Sequence, residues 1–297
     1  MLHNEIKQID LQKFEEKYPF EQLIHTSKED LKAGIKSGDL HYVWLPACPR
    51  ANRITSVFKW YGLDKRVKEH QLSPYYKPRE NWVFQAGDKL FEETSIQDYF
   101  PKEVRATQPF LYNESRKQVL SNHTYSMSML MAEVMDEVNK VEPQNSLYPT
   151  EHREMLQKWN AWIYEKVNLN IYQVTSKSGK EKEEGMQDLE TTYGLLNAHL
   201  SSNNYLHANQ LTETDLRLFN NLIRHELYFK QFKVFKRPLA DFTHLNQYVQ
   251  YILVEHPIIS DDLYFKEIRE THFRSDHNIK KYGYVEKKPS INELFPF

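Results

Sequence analysis

The stretch Asp39-Leu-His-Tyr-Val-Trp-Leu-Pro-Ala-Cys-Pro-Arg-Ala-Asn-Arg53 joins two different patterns at Cys48, the only cysteine of the chain. The run Leu40–Leu45 is short, aromatic and β-branched, which predicts a buried strand. Pro49 is a residue type favoured at the first position of a helix, and the apolar positions after it repeat with helical spacing up to Gly62. The sequence therefore predicts that Cys48 lies where a strand ends and a helix begins.

A cysteine at a helix start faces backbone N–H groups and the positive end of the helix dipole. Arg50 and Arg53 place positive charge nearby, and all these features favour the thiolate, which is the reactive form. A lone cysteine is also common as a small buried side chain, so both interpretations of Cys48 stay open at this point. Ala51 stands where a Cys-x-x-Cys pair would have its second cysteine. A disulfide reaction of Cys48 would therefore need a second, soluble thiol.

The composition narrows the class of protein and of partner. The 297 residues carry a formal net charge of −2, which gives no reason to expect nucleic acid or an anionic membrane as a partner. One cysteine excludes an internal disulfide framework and fits a reducing cytosol. We find no signal-peptide pattern, no apolar run of membrane-spanning length, no glycine-rich phosphate motif and no metal-ligand spacing among the histidines. The sequence predicts a cytoplasmic protein without a bound metal.

A proline marks the second informative stretch, Arg105–Tyr112. Pro109 lies inside an otherwise β-like run, which argues against a regular central strand. Together with the strand, cysteine, proline and helix around Cys48, it suggests the cis-proline of thioredoxin-like folds. In those folds the preceding residue, here Gln108, offers its backbone to a thiol ligand. Most bonds to proline are trans, so the isomer is a hypothesis at this point.

The rest of the chain divides by pattern into an extension and two domains. Residues 1–35 are charged with scattered apolar positions and are expected to form an extension packed on the domain that follows. Residues 36–140 are expected to form the thioredoxin-like domain, in which the stretch Ser121–Asn122 has the chemistry of a helix N-cap. Two prolines within 141–149 indicate a linker. Residues 147–297 show helical patterns and are expected to form an all-helical domain with a C-terminal tail.

One helix of the second domain has a complete start signal. Thr212 can act as the N-cap, and Asp215 can reach back to the N–H of the cap. Leu211 and Leu216 can form a hydrophobic staple across this start. A later helix is expected at about 260–270.

These motifs resemble the xi class of cytosolic glutathione transferases, the glutathionyl-hydroquinone reductases. Family members read Ala-Cys-Pro-Trp-Ala-His-Arg at the active cysteine, where this chain reads Ala47-Cys-Pro-Arg-Ala-Asn-Arg53. The family's Arg-Val-Thr-Val-Pro-Val-Leu-Trp corresponds to Arg105–Tyr112. Further matches fall at Gln210–Phe219, Leu222–Arg224, Phe265–Arg269 and Phe273–Ser275. The resemblance implies a thioredoxin-like domain followed by a helical bundle that forms a homodimer interface.

The resemblance also implies roles for individual residues. Cys48 would be the nucleophile, and Tyr172 would face the hydroquinone. Glutathione would be the co-substrate, and its site would be formed by Trp82, Arg105, Gln108, His123 and Thr124. Arg50 and His272 would lie at the aromatic substrate, where the family has a tryptophan and a second tyrosine.

His123-Thr124 replace the family's Glu-Ser, which binds the γ-glutamyl end of glutathione, and Asn52 replaces a histidine. Thr124 can still donate a hydroxyl, but His123 cannot act as a carboxylate that pairs with an ammonium group. Three hypotheses follow. The chain is a glutathione-dependent reductase that removes glutathione from aromatic thioethers, or a reductase that uses another small thiol. Alternatively, it is a binding protein that keeps the fold, in which case Cys48 would show ordinary reactivity.

Overall fold

The computed structural model describes residues 2–18, 20, 23–74, 81–91, 94–232, 234–260, 268, 271 and 291–295. Its strands are β1 (Leu40–Trp44), β2 (Lys68–Gln71), β3 (Phe110–Asn113) and β4 (Gln118–Ser121). Its helices, numbered in chain order, are α1 (Leu2–Lys7), α2 (Leu11–Lys17), α3 (Lys28–Ser37), α4 (Pro49–Trp60), α5 (Met127–Asn139), α6 (Arg153–Ile163), α7 (Leu169–Ser176), α8 (Gly179–Leu200), α9 (Glu213–Phe232), α10 (Thr243–Glu255), α11 (Pro257–Ser260) and α12 (Ile291–Leu294).

The four strands form one mixed sheet with the order β2-β1-β3-β4. β1 is parallel to β2 and antiparallel to β3, and β3 is antiparallel to β4. A helix, α4, connects the parallel pair, because parallel neighbours need a crossover connection, whereas a tight turn joins β3 to β4. This is the thioredoxin-like arrangement. The predicted fold class, an α/β thioredoxin-like domain with an all-helical domain, is confirmed.

β1 is buried on both faces of the sheet. On one face the Tyr42 hydroxyl donates to the Ala51 carbonyl of α4 at 2.9 Å, and its ring lies 4.9 Å from that of Phe58. On the opposite face Val43 packs in a cluster with buried side chains of residues 81–100. Successive side chains of a strand point to opposite faces, so a strand covered on both sides has a continuous apolar pattern. The run Leu40–Leu45 has that pattern.

The chain forms two compact units. The sheet unit contains the described residues within 19–141 and 261–286, and the helical unit contains those within 1–18, 142–260 and 287–297. The expected N-terminal extension is divided between them, because α1 and α2 pack on α6 whereas α3 packs on α5 and β1. In the helical unit the Trp162 Nε1–H donates to the Glu5 carboxylate at 2.8 Å.

The start of α9 follows its sequence signal. The Asp215 carboxylate accepts hydrogen bonds from the N–H and the hydroxyl of Thr212, at 2.9 and 2.7 Å. It also accepts from the N–H of Leu206 and the hydroxyl of Tyr248, at 2.9 and 3.0 Å. The predicted reach of Asp215 back to the N–H of Thr212 is confirmed, and Asp215 additionally fastens the preceding loop and α10 to α9.

Two expected helix positions differ from the structure or lie outside it. The helix expected directly after Ser121–Asn122 begins at Met127, because the Asn122 side chain bonds to other segments of the sheet unit. Most of the helix expected at 260–270 falls outside the described residues. Within the described part of the chain, every helix is too short or too polar to cross a membrane.

Candidate active site

Cys48 lies between β1 and α4, as the sequence predicts. It is the N-cap residue of α4, with Pro49 as the first helical residue. Its N–H donates to the Leu45 carbonyl at 2.9 Å, which closes the turn after β1, and its carbonyl accepts from the Asn52 N–H at 3.0 Å. The side chain is partly exposed. A helix start presents N–H groups and positive partial charge, so it can stabilise a developing anion such as a thiolate.

Gln108 lies next to the turn that carries Cys48. The Gln108–Pro109 peptide bond is cis, so the cis-proline hypothesis is confirmed. The Gln108 side-chain oxygen accepts a hydrogen bond from the Leu45 N–H at 3.3 Å. The Leu45 carbonyl also accepts from the Cys48 N–H. Cys48 and Gln108 are therefore both hydrogen-bonded to the backbone of Leu45.

Asn122 holds three segments of this region together, a role that the sequence analysis missed. Its side-chain oxygen accepts from the Ile24 N–H at 2.7 Å. Its amide donates to the Arg105 carbonyl at 3.1 Å and to the Thr107 hydroxyl at 3.0 Å. The side chain is completely buried. A polar residue at the end of a buried strand was the available signal, but its chemistry pointed equally to a helix cap.

His123 and Thr124 follow Asn122, and both are buried, with 6% and 8% of their surface exposed. The ring of His123 lies 4.1 Å from that of His25 and 5.0 Å from that of Phe20, and its Nδ1 is hydrogen-bonded to the Ser126 hydroxyl. The side chain is therefore packed among residues from the N-terminal part of the sheet unit. This environment is rich in aromatic rings.

The two arginines after Cys48 have different surroundings. Arg50 is exposed, whereas only 2% of the Arg53 surface is accessible. The Arg53 guanidinium donates to the Thr124 carbonyl at 2.5 Å. Arg53 thus connects the first turns of α4 to the β4–α5 turn, and it positions two parts of the candidate site. Arg50 is the arginine whose charge is directed to solvent.

Trp82 and Arg105 complete the candidate residues of the sheet unit. Trp82 is partly buried and packs against the same hydrophobic cluster as Cys48. Its carbonyl accepts from the Ile96 N–H at 3.0 Å, and its neighbour Val83 forms a β-bridge with Ser95. Arg105 is exposed, and its backbone is held by Asn122. The fold thus brings Cys48, Gln108 and Trp82 to one region of the sheet unit.

Tyr172 belongs to the helical unit, where it lies on α7 with 65% of its surface exposed. A π-helical turn, Tyr164–Asn168, directly precedes α7. Such turns occur often at functional sites. His272 lies outside the described residues.

Comparisons with known proteins give relatives that are named glutathionyl-hydroquinone reductases. No family model matches it. It is 26% identical over 274 residues to glutathionyl-hydroquinone reductase PcpF from Sphingobium chlorophenolicum, an alignment that covers 88% of this chain and 86% of that protein. It is also 26% identical over 269 residues to glutathionyl-hydroquinone reductase YqjG from Escherichia coli, with 86% of this chain and 81% of the relative covered.

Solved structures agree with these sequence relatives. The crystal structure of the xi glutathione transferase from Phanerochaete chrysosporium matches with a TM-score of 0.76 and 24% identity, and covers 86% of this chain and 91% of that one. The glutathione-bound structure of YqjG matches with a TM-score of 0.75 and 24% identity, and covers 86% of each chain. At this level of identity the structural likeness shows the fold alone. Together with the named relatives, it shows that the chain is similar to the xi-class glutathione transferases over most of its length.

Proposed function

We propose that this chain is a glutathione-dependent thiol transferase or reductase that acts through Cys48 and removes glutathione from hydroquinone-like aromatic thioethers. The observation that carries the proposal is the position of the only cysteine, at the N-cap of α4 and beside the segment of Gln108. The names of the two relatives support the reaction class.

The first step is an attack by the Cys48 thiolate on the sulfur of a glutathionyl-hydroquinone. A sulfur–sulfur bond forms and the carbon–sulfur bond breaks. The electron pair of the broken bond passes to the ring carbon, which takes up a proton, and the hydroquinone leaves. The two sulfurs are thereby oxidised to a mixed disulfide while the ring carbon is reduced. Cys48 carries out this step from the N-cap of α4, where its side chain is partly exposed.

The second step restores the thiolate. A second glutathione, as its thiolate, attacks the glutathione sulfur of the mixed disulfide, and Cys48 leaves as the thiolate. The product is oxidised glutathione. Since Ala51 excludes a Cys-x-x-Cys pair, the reducing electrons must come from this soluble thiol.

We assign the remaining roles as the resemblance implies them. Tyr172 would support the ring carbon through its hydroxyl during the first step. The thiol-binding residues would be Trp82, Arg105, Gln108, His123 and Thr124, and the substrate-binding residues would be Arg50 and His272. The exposure of Tyr172 and Arg50 is compatible with contact to a soluble substrate.

The identity of the thiol depends on His123. Its buried ring, close to His25 and Phe20, provides no carboxylate for the ammonium group of glutathione. This observation favours a second candidate function within the same chemistry, a reductase that uses a small thiol other than glutathione. We also propose that the protein is cytoplasmic and forms a homodimer, and that light scattering after gel filtration will give twice the mass of the chain.

The decisive experiment is mass spectrometry of the intact protein after incubation with oxidised glutathione. We expect a single glutathione adduct that fresh reduced glutathione removes, because the exchange is a reversible thiol reaction. The Cys48→Ser variant should form no adduct and should lose turnover of glutathionyl-hydroquinone. The exposed Lys65→Arg substitution, which keeps the charge and lies outside the assigned site, is the matched control and should form the adduct.

Two results would change the conclusion. Turnover of glutathionyl-hydroquinone by Cys48→Ala at the rate of the original protein would remove the mechanism. An unmodified Cys48 that an alkylating reagent still labels would exclude glutathione as the thiol. Adduct formation with another small disulfide would then support the second candidate function, and its absence would favour the binding protein.

A further inference from the structure

Four titratable side chains of the sheet unit form a hydrogen-bonded row that does not include Cys48. Nδ1 of His41 on β1 and Nε2 of His70 on β2 lie 2.8 Å apart. The second nitrogen of His41, Nε2, lies 2.9 Å from Oε2 of Glu114, and Nδ1 of His70 lies 2.6 Å from Oδ2 of Asp88. We name the row Glu114–His41–His70–Asp88 the histidine–carboxylate cluster.

The cluster is buried at its centre and open at one end. The side chains of His41, His70 and Asp88 are 2%, 13% and 10% exposed, whereas that of Glu114 is 44% exposed. The two imidazoles therefore have little access to water. Their hydrogen-bonding needs must be met mainly within the cluster.

The neighbouring elements contribute few further charges. Lys68 on β2 lies 3.2 Å from the Glu114 carboxylate, and the Asp39 carboxylate acts on His41 through its charge. The aromatic rings of Phe91 and Tyr112 cover the imidazoles, with Phe91 4.9 Å from His70 and Tyr112 6.4 Å from His41. The cluster thus lies in an apolar setting, with Lys68 and Asp39 as its charged neighbours.

The number of protons in the cluster follows from its geometry. Three hydrogen bonds join two carboxylates through two imidazoles, and an ionised carboxylate can only accept. The bonds to Glu114 and to Asp88 each need a proton on the ring, and the bond between the rings needs a third. Two neutral imidazoles carry only two ring protons. The full set of bonds therefore requires one imidazolium and one neutral imidazole.

Other arrangements fit less well. In the described part of the chain, no group of three or more His, Cys, Asp or Glu side chains is arranged to hold a metal ion. Burial acts to raise the pKa of Asp88, but hydrogen bonds from His70 and from the Leu90 and Phe91 amides hold it below its ordinary value. Hydrogen bonds from His41 and then Lys68 lower the pKa of Glu114. Both carboxylates are thus expected to be ionised.

The geometry favours one ring for the positive charge. The bond from Nδ1 of His70 to the buried Asp88 carboxylate is the shortest of the three, at 2.6 Å, and charge-assisted hydrogen bonds are short. Burial of His41 lowers its pKa, which agrees with a neutral ring there and the imidazolium at His70. The imidazolium and Lys68 together balance the two carboxylates of the cluster.

The cluster fastens the segment that contains Trp82. The second oxygen of Asp88, Oδ1, accepts from the N–H groups of Leu90 and Phe91, at 2.9 and 3.0 Å. The Phe91 ring stacks on Phe84 at 4.2 Å, and Phe84 is two residues from Trp82. Asp88 thereby links this segment to β2 through His70.

We propose that one imidazole of the histidine–carboxylate cluster is an imidazolium, which gives the cluster one proton more than two neutral rings carry. We also propose that His70 is a positioning residue that keeps residues 81–91, the segment with Trp82, on the sheet. Loss of that proton leaves one of the three hydrogen bonds unmade and loosens the segment. The effect on thiol binding rests on the proposed function, whereas the proton count and the fastening do not.

Nitrogen-15 NMR of the histidine rings at neutral pH tests the proton count, with His41→Asn and His70→Asn used to assign the signals. We expect one ring with both nitrogens protonated and one neutral ring protonated at Nε2. In Asp88→Asn the new amide can donate to Nδ1 of His70, so two neutral rings satisfy every bond and the imidazolium signal should vanish. Two neutral rings in the unaltered protein would overturn the proposal.

Hydrogen exchange at the amides of Phe84, Phe91 and Ile96 tests the fastening. In the unaltered protein, protection should fall as the pH rises and the proton leaves, whereas Asp88→Asn should be independent of pH. His70→Phe keeps a ring but removes both hydrogen bonds of the imidazole. The bond to Asp88 is the one that holds the segment, so exchange there should be about tenfold faster. Glu103→Gln, an exposed carboxylate of the same unit, is the control. Equal protection in His70→Phe and Glu103→Gln would overturn the fastening.

Steady-state kinetics connects the cluster to the proposed function. His70→Phe should raise the KM for glutathione more than it lowers kcat, because it disturbs a binding segment. If the unaltered protein turns over no glutathionyl-hydroquinone, the proposed function fails, and NMR and exchange still decide the cluster. If turnover is present but KM is unchanged in His70→Phe, the positioning role fails alone.

Discussion

Asn122 is a residue on which three segments of the candidate site depend. Its side chain bonds the backbone of Ile24, the backbone of Arg105 and the hydroxyl of Thr107. Arg105 is itself a predicted thiol-binding residue, and Thr107 directly precedes another, Gln108. Because Asn122 is buried, water cannot replace these bonds when the side chain is removed.

Replacement of Asn122 by alanine should lower the free energy of unfolding by about 2–4 kcal/mol, since it leaves buried donors and acceptors without partners. Asn122→Asp keeps the acceptor for the Ile24 N–H but loses both donated hydrogen bonds. Its free energy of unfolding should therefore lie between those of the unaltered protein and Asn122→Ala. Urea denaturation measures both. Asn139→Ala, at an exposed position of α5, serves as the control. A loss in Asn122→Ala no larger than in this control would contradict the role of Asn122.

At the scale of elements, local pattern predicted β1, the start of α4, the cis-proline and the start of α9. Each depends on neighbouring residues, such as Pro49 at the first turn of α4 or Asp215 opposite Thr212. The start of α5 could not be predicted in this way. Asn122 has the chemistry of a helix cap, but its hydrogen bonds go to residues 98 and 17 positions away in sequence, and no local pattern encodes such distant partners.

In the candidate site, too, the sequence predicted the features that neighbouring residues determine and missed those that distant residues form. Cys48 and Gln108 were found because proline and cysteine mark their own local geometry. The histidine–carboxylate cluster was not found, because its members come from β1, β2 and two turns that only the fold brings together. The thirteen histidines showed no spacing that indicated a pair.

α9 contains a buried histidine that should make stability depend on pH. The Nε2–H of His225 donates to the Arg237 carbonyl at 2.9 Å, and the ring stacks on Phe235 at 4.0 Å. Burial lowers the pKa of His225 to about 4. In the unfolded chain a histidine titrates near 6.5, so the unfolded state binds more protons between these two values. The contribution of His225 to the free energy of unfolding should be fully present above about pH 6.5 and should be lost as the pH falls toward 4.

His225 alone accounts for about 3 kcal/mol of this loss. His225→Gln can keep the hydrogen bond to Arg237 but does not titrate. Between pH 6.5 and 4 its free energy of unfolding should therefore fall by about 3 kcal/mol less than that of the unaltered protein. Urea denaturation at several pH values measures the difference. Burial raises the pKa of Asp215 to about 6, which acts in the opposite sense, but its contribution is the same in both proteins and cancels. Equal losses in the two proteins would exclude His225 as the source.

At the scale of the whole molecule, the N-terminal residues belong to two units. The apolar positions of residues 1–35 predicted packing on the domain that follows, whereas residues 1–18 belong to the helical unit. Packing partners depend on surfaces that distant residues build. α2 contributes Phe14 to the helical unit, where its ring lies 5.7 Å from that of Tyr164 at the first residue of the π-helical turn. We infer that α2 stabilises the helical unit.

Phe14→Ala should therefore destabilise the helical unit by about 3–5 kcal/mol, the usual cost of removing a buried aromatic side chain. Hydrogen exchange resolved by residue measures where the protection is lost. We expect faster exchange at the amides of α6, on which α2 packs, with the amide of Val43 in β1 less affected. Gln12→Ala alters an exposed residue of α2 and should leave both unchanged. If Phe14→Ala accelerated exchange only in β1, the first helices would stabilise the sheet unit, contrary to the structure.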